Sequence, residues 1–158
     1  MNDFLIKDSP GIGQGLFSTK DFNKNEVLFK FEGKKISSEE ALKIPNNDRV
    51  LQIGPQLFID LGNHYSVFTN HSCNPNCYVK IAVNNAFLLS SRAIKAGDEL
   101  FFDYSTTSTE TIDTWSMKCN CHPFGCRKII SGFSTIPIAQ KEKLISLWMV
   151  PTYVVSGI

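Results

Sequence analysis

Residues 70–77 read Asn-His-Ser-Cys-Asn-Pro-Asn-Cys. About forty residues later Cys119-Asn-Cys121-His-Pro-Phe-Gly-Cys126 completes the five cysteines of the chain in two tight groups. Three thiols spaced C-x-C-x4-C form a partial tetrahedral thiolate site that needs a fourth ligand from elsewhere, and thiolates in that number select zinc. Cys73 and Cys77 are the candidates, and His122 is a chemically allowed competitor. A closed site of this kind has no open position for water, so its chemistry is structural. It would tie the C-terminal segment onto the loop that contains Asn70, His71 and Cys73. An odd cysteine count in C-x-C spacing, without a secretory n-region or h-region, predicts a reducing compartment and a metal rather than disulfides.

A second motif, Gly11-Ile-Gly13-Gln-Gly15-Leu-Phe17, superficially suggests dinucleotide binding. Its third glycine sits one residue too early, Asp8-Ser9-Pro10 stands where the preceding strand should be, and Leu16-Phe17-Ser18-Thr19 continues as a strand instead of opening a helix. Two readings are left. One is a glycine-rich turn with no ligand; the other is a loop whose missing side chains let a small cofactor lie against bare backbone.

The elements that must position these motifs are mainly short strands. Val27, Phe29 and Phe31 alternate with Leu28, Lys30 and Glu32, predicting a half-buried strand that ends at Gly33. Ser37 and Glu40 have capping-box spacing, predicting a short helix through about Lys43 that Pro45-Asn46-Asn47 ends. Two hairpins are expected: residues 49–53 with 56–61 around Gly54-Pro55, and 78–83 with 86–92 around Asn84-Asn85. Ala96-Gly97-Asp98 turns into a strand over residues 99–104, and the Ser/Thr-rich run 105–114 reads as a flexible connector. Near the end, Thr135 as N-cap and Pro137 in the first turn predict a docked helix with Ile138, Leu144, Ile145 and Trp148 on one face.

The chain has 158 residues, 42% hydrophobic and 20% charged, which suits one globular domain able to bury roughly 70% of its unfolded surface. Four thiolates and a zinc ion would bring the formal charge of +1 to about −1. The short basic clusters Lys34-Lys35 and Arg127-Lys128 are no phosphate track, and basic and aromatic residues do not interleave around the cysteines. Nucleic acid is therefore not an expected direct partner. The longest apolar runs are four residues, against about 20 for a membrane span, so no membrane is expected either. The expectation is a soluble intracellular protein of cytoplasm or nucleus, with delivery into a host cell left open; oligomeric state is not readable.

The glycine loop, Asn70-His71-Ser72-Cys73 and Glu99-Leu-Phe-Phe-Asp-Tyr104, followed by C-x-C-x4-C, resemble in their order and spacing the SET-domain protein lysine methyltransferases with a zinc-binding post-SET segment. The resemblance covers about residues 4 to 130, and the tail from Ile130 is similar to that of short microbial members. It implies a mainly β fold of small curved sheets, with a cofactor loop threaded as a pseudoknot, a post-SET zinc site and a C-terminal helix. The implied divisions are a SET domain over 1–118, the post-SET segment over 119–130 and a helical tail over 131–158.

The resemblance also implies roles. Ile12, Gly13, Gln14, Phe31, Asn70 and His71 would hold S-adenosylmethionine. Tyr104 would be the catalytic tyrosine and Phe102 its neighbour in the substrate channel. Cys73, rather than Cys77, would join Cys119, Cys121 and Cys126 on one zinc ion. The implied activity is methyl transfer to the ε-amine of a protein or peptide lysine, with a histone tail among the candidate substrates. Phe102, where a tyrosine would crowd the amine, implies di- or trimethylation.

Departures from the family pattern bear on cofactor affinity. Phe31 stands where a cofactor-side tyrosine is common, and Val67 where an arginine is usual. The stretch between Lys34 and Phe58 is short, which implies an open peptide groove. The competing expectation is a zinc-stapled interaction module on the same fold without useful turnover.

Overall fold

The computed structural model describes residues 3–45, 49–109, 115–121 and 125–157. Strands β1 (Phe4–Ser9) and β2 (Gly13–Ser18) form an antiparallel hairpin with Ser9 opposite Gly13. Its turn needs glycine at Gly11 and Gly13, whose φ of 78° and 120° lie in the left-handed region, and the Ile12 N–H donates to the Ser9 carbonyl at 3.0 Å.

Strand β3 (Val27–Lys30) departs from the expected alternation. A register shift between Val27 and Phe29 leaves Val27 53% exposed while Leu28, Phe29 and Phe31 are all buried. A bulge inserts a residue and re-aims the side chains that precede it, which a period-2 reading cannot anticipate.

Strand β4 (Lys34–Ser37) runs into α1 (Ser38–Ala41), with both capping-box bonds of Ser37 and Glu40 present. The α-helix stops at Ala41, short of the expected end at Lys43. The Lys43 and Ile44 amides bond back to the Glu40 and Ala41 carbonyls in a 3-10 pattern instead. Asn46 and Asn47, expected to break the helix, lie outside the described residues. Strands β5 (Val50–Gly54) and β6 (Leu57–Asp60) form the expected hairpin, and β4 completes a three-stranded sheet in the order β4-β6-β5.

A 3-10 turn, Tyr65–Phe68, leads into the two-residue strand β7 (Asn70–His71). Strands β8 (Cys77–Ala82) and β9 (Asn85–Ser90) pair with Ala82 opposite Asn85, so the turn is Val83-Asn84, one residue earlier than expected. Both turn residues have positive φ, 48° and 58°, as the twist of a two-residue hairpin requires.

Strand β10 (Phe101–Phe102) is much shorter than the strand expected over 99–104 and pairs in parallel with β7. Tyr104 does not extend it; Tyr104–Thr107 is a 3-10 turn with Asp103 as N-cap. Ser105, Thr106 and Thr107 are buried, so the start of the expected flexible connector is an ordered part of the interior. Residues 110–114 of that connector lie outside the described residues.

Strands β11 (Met117–Lys118) and β12 (Ile129–Ile130) form a short ladder around the second cysteine group. A 3-10 turn over Phe133–Thr135 precedes α2 (Ile138–Ser146) and α3 (Thr152–Val155). Pro137, not Thr135, occupies the N-cap position of α2; the Thr135 hydroxyl donates to the Gly132 carbonyl. Of the expected apolar face, Leu144 is buried and Ile145 half-buried, while Ile138 and Trp148 face solvent. Trp148, with φ 58°, closes α2: its N–H donates to the Ile145 carbonyl and the Met149 N–H to the Leu144 carbonyl. This is the Schellman pattern, with tryptophan where glycine is usual.

The main core gathers Phe4, Leu16, Phe22, Phe29, Phe31, Leu88, Leu100 and Phe102. Phe4, Phe29 and Tyr65 pack within 5.7 Å of one another, centroid to centroid. Such rings supply most of the burial free energy in a domain of this size. A separate cluster joins Phe133, Ile136, Leu144, Met149, Val150 and Val154 in the tail, and a third holds Cys73, Cys119 and Ile130.

Candidate active site and cysteine centre

The parallel ladder puts Asn70 opposite Phe101 and His71 opposite Phe102, so the Asn-His loop and the segment that delivers Tyr104 lie side by side. The Ser72 N–H continues the pairing onto the Phe102 carbonyl at 3.2 Å. Asn76, buried, fixes the register from the other end of the loop: its side chain donates to the Glu99 carbonyl at 2.7 Å and accepts from the Phe101 N–H at 2.8 Å. An amide side chain with one donor and one acceptor face can take the place of a strand neighbour in this way.

On the glycine-loop side, Asn70 Nδ2 donates to the Gln14 carbonyl at 2.9 Å and to Glu99 Oε1 at 2.9 Å. Ser9 Oγ donates to the other carboxylate oxygen of Glu99 at 2.8 Å. Glu99 thus ties β1, the glycine hairpin and the Asn70 loop at one point. Gly15 makes room for it, since a Cβ there would stand 2.1 Å from Glu99 Oε1. With both donor hydrogens of Asn70 engaged, the orientation of its amide is set and Oδ1 is left as an acceptor. Ile12 is exposed with its N–H used in the turn, and Gly13 and Gln14 form the first ladder positions of β2.

Tyr104 is half-buried, and its hydroxyl donates to the Thr69 carbonyl at 2.9 Å. Its ring lies 4.8 Å from Phe102 and 5.4 Å from His71. Phe31 is a core residue behind this pair, its ring edge-on to Phe29 at 5.2 Å and to Phe102 at 6.2 Å. Val67 packs against the same core from the 3-10 turn before Asn70.

The cysteines divide sharply. Cys77, 0% exposed in the main core, has its thiol pushed up to about 12 by burial, with partial opposition from the Phe101 amide and Arg92. Cys73 instead joins the second group: its Sγ lies 3.7 Å from Cys119 Sγ, and Cys119 and Cys121 sulfurs are 3.2 Å apart. Tetrahedral Zn–S bonds of about 2.3 Å place sulfurs about 3.8 Å apart; the Cys73–Cys119 spacing matches such an ion and the Cys119–Cys121 spacing is shorter. Burial raises the Cys73 and Cys119 thiols, so a nearby cation is needed for them to ionise. Cys126 packs against the same cluster, with Sγ 3.8 Å from the Cys119 carbonyl. His122 lies outside the described residues.

His71 was expected only on the cofactor side, yet its Nε2 is 3.3 Å from Cys73 Sγ, and His71, Cys73, Cys119 and Cys121 bring donor atoms within 4.8 Å of one another. Its tautomer decides its part. Nδ1 accepts the Tyr104 N–H at 3.2 Å, and burial together with Arg127 holds the ring neutral, lowering its pKa to about 3. A neutral imidazole that accepts at Nδ1 carries its proton on Nε2. In this tautomer His71 donates to the Cys73 sulfur; ligation through Nε2 would require moving the proton to Nδ1, 3.6 Å from Asp103 Oδ1, and giving up the bond from the Tyr104 N–H.

One contact ties the cysteine segment to the glycine turn and another ties α2 to the Cys73 loop. Asn120 Nδ2 donates to the Gly11 carbonyl at 3.3 Å, and Gln140 Nε2 of α2 donates to the Cys73 carbonyl at 3.1 Å. Sequence reasoning missed the organising parts of Asn76, Glu99, Asp103 and Arg127. Asn76 sits in an Asn-Pro-Asn run that suits an ordinary turn, Glu99 and Asp103 read only as positions of the 99–104 strand, and Arg127 reads as a counterion beside the thiolate site rather than as a partner of Asp103.

Small, mainly antiparallel sheets, a parallel two-residue ladder at their junction and a cysteine-rich segment closing over it define the class of fold. A sequence profile for the SET domain matches residues 13–105, more than half of the chain, and the chain belongs to that family. It is similar to the histone-lysine N-methyltransferase MEDEA of Arabidopsis thaliana, 37% identical over 113 residues, which cover 63% of this chain and 16% of that protein. It is also similar to the histone-lysine N-methyltransferase Su(var)3-9 of Drosophila melanogaster, 27% identical over 154 residues, covering 80% of this chain and 24% of that protein. The chain thus spans a quarter or less of these relatives. Its fold matches a crystal structure of KRYPTONITE in complex with mCHG DNA and SAH, with TM-score 0.66 and 22% identity over 80% of this chain and 28% of that one.

Proposed function

We propose that this chain transfers methyl groups from S-adenosylmethionine to the ε-amine of a protein lysine. The observation that carries the reading is the β7–β10 ladder within a SET-family chain, which sets Asn70 and His71 against the strand that delivers Tyr104. Histone tails are the first substrates to test, because the similar proteins of Arabidopsis and Drosophila are named as histone-lysine N-methyltransferases. A neighbour solved with SAH supports the choice of cofactor.

S-adenosylmethionine would supply a methyl group bound to a sulfonium; the amine lone pair forms the N–C bond as the S–C bond breaks. The cofactor would lie against residues 12–14, with Asn70 Oδ1 as an acceptor and His71 contributing from the loop backbone. Phe31 acts from behind, as packing for Phe102. Burial in a channel lined by Phe102 and Tyr104 disfavours the lysine ammonium and so frees the lone pair. The Tyr104 hydroxyl, its proton directed to the Thr69 carbonyl, presents oxygen lone pairs to the reacting groups and aligns them. Phe102 leaves space beside the amine, supporting di- or trimethylation. Cys73, Cys119, Cys121 and Cys126 would hold one zinc ion, with His71 donating to Cys73 from outside the ligand set, and the ion would fix residues 119–130 as a wall of the channel.

The test is incubation with labelled S-adenosylmethionine and a panel of histones and cell lysate, with mass spectrometry of the products. Wild type is expected to transfer label, Tyr104→Phe to lose at least about 100-fold in kcat, and Phe102→Tyr to shift products toward monomethyllysine. Zinc retention without cofactor binding or transfer would instead identify a binding module.

A further inference from the structure

Asp103 and Arg127 form an ion pair unlike the other lysine or arginine pairs among the described residues. Arg127 Nη2 lies 2.6 Å from Asp103 Oδ1, with side chains 8% and 1% exposed. Every other lysine or arginine pair among the described residues keeps at least 23% of each side chain in solvent. Exposed pairs of that kind contribute little, whereas removing one partner from a buried pair leaves an uncompensated charge in the interior.

The partners come from the two halves of the candidate site. Asp103 immediately precedes Tyr104, and its Oδ1 accepts the Ser105 N–H at 3.1 Å, capping the 3-10 turn that Tyr104 begins. Arg127 immediately follows Cys126. Its backbone N–H donates to Cys73 Sγ at 3.4 Å, and its Nη2 also reaches Ser105 Oγ at 3.2 Å. One residue therefore holds the thiol cluster with its backbone and the Tyr104 turn with its side chain.

The contact is also narrow. Asp103 Oδ2, Arg127 Nε and Arg127 Nη1 are buried and have no hydrogen-bond partner among the described residues. A two-pronged arginine–carboxylate fork would hold its geometry by itself. A single prong makes the placement of the Asp103 carboxylate, which caps the turn, depend on where the cysteine segment sets the guanidinium.

We propose that Arg127 is a positioning residue for Tyr104: the folded cysteine segment delivers the cation that neutralises Asp103 and so fixes the turn carrying the Tyr104 hydroxyl. The inference rests on the assignment of Tyr104 as the catalytic tyrosine. It makes turnover conditional on docking of the cysteine segment, by a route separate from any wall that segment builds around the substrate.

The test uses the zinc-loaded full chain as wild type, Arg127→Met, Arg127→Lys, Asp103→Asn and the double variant Asp103→Asn/Arg127→Met. Zinc content, cofactor affinity, amide hydrogen exchange over residues 104–107 and methyl transfer are measured on each. Arg127→Met is expected to keep its zinc and hold cofactor affinity within about threefold. Its exchange at 104–107 should accelerate at least about tenfold, and its kcat should fall about 10- to 100-fold. Arg127→Lys should lie between it and wild type, and the double variant should recover at least about threefold over Arg127→Met, because a neutral amide needs no cation. Wild-type exchange and turnover in Arg127→Met would overturn the proposal. So would loss of zinc in step with loss of protection, which would make Arg127 part of the metal site, or a double variant no better than the single one. If wild type transfers no methyl group, the functional reading fails, and exchange over 104–107 still decides whether Arg127 fixes the turn. If Tyr104→Phe abolishes turnover and Arg127→Met does not, only the positioning role fails.

Discussion

Residues 4–104 close a continuous core in which Leu16, Cys77, Ala86, Leu88 and Leu100 are wholly buried, and hairpins supply the backbone partners. The described residues of 115–130 have a two-residue ladder and contribute Cys119 and Ile130 to a small buried cluster with Cys73. The first region can bury enough apolar surface to order itself. The second cannot, and is held by point contacts: the thiol cluster, Arg127 on Asp103 and Asn120 on the Gly11 carbonyl. The two halves of one candidate site are thus stabilised by different physics and should fail under different insults.

Removing the metal should separate them most. Structural zinc can contribute on the order of 10 kcal/mol to ordering a segment. Chelation or Cys119→Ser is expected to abolish methyl transfer and release residues 115–130 to fast hydrogen exchange, with the strands of the main core still protected. Simultaneous loss of protection in β8 and β9 would break the comparison.

Gly15→Ala attacks the other half alone. Its Cβ would meet Glu99 Oε1 at 2.1 Å, so Glu99 must leave and Asn70 loses its anchor. About 1–3 kcal/mol of stability should be lost, with cofactor affinity weakened in calorimetric titration and zinc content unchanged. Zinc loss in this variant would show the halves to be one unit.

Acid probes two histidines of the first region. Burial lowers His71 to about 3, and lowers His64 as well, against Glu32. Each folded imidazole binds protons less readily than the unfolded chain. The stability it contributes is therefore present above about pH 6.5 and lost as pH falls, for His71 down to about 3. In proton NMR the His71 ring is expected not to titrate above pH 4, and His64 to titrate below its ordinary value. A His71 midpoint near 6.5 would mean that the loop is open in solution.

The smallest effect is expected far from both halves. Trp148 closes α2 in a left-handed conformation while 84% exposed. Trp148→Gly should raise stability by up to about 1 kcal/mol, read as a higher midpoint in urea, with turnover unchanged.

Much of the fold was legible because its signals are local. The capping box at Ser37 and Glu40, the Gly54-Pro55 hairpin and the glycine-rich turn each follow from a few adjacent residues. The errors arose where distant packing overrode periodicity. The bulge in β3 exposed Val27, the 99–104 strand shrank to two residues because Asp103 caps a turn, and the Ser105–Thr107 stretch was drawn into the interior by its neighbours. The C-terminal helix kept only part of its expected face because its last turn is spent on a cap.

By itself the sequence determined which groups could do chemistry: a thiolate cluster lacking one ligand, a bare glycine loop, an Asn-His pair and a tyrosine at the end of an aromatic run. Residue type and short spacing carry that information. Spacing left Cys73 and Cys77, four residues apart, both open and the resemblance implied Cys73; the tertiary structure separates them by sending one sulfur to Cys119 and the other into the core. It alone fixed the His71 tautomer through the Tyr104 amide and joined Arg127 to Asp103 in a buried pair. Those outcomes depend on burial and on partners tens of residues away, which no local pattern encodes.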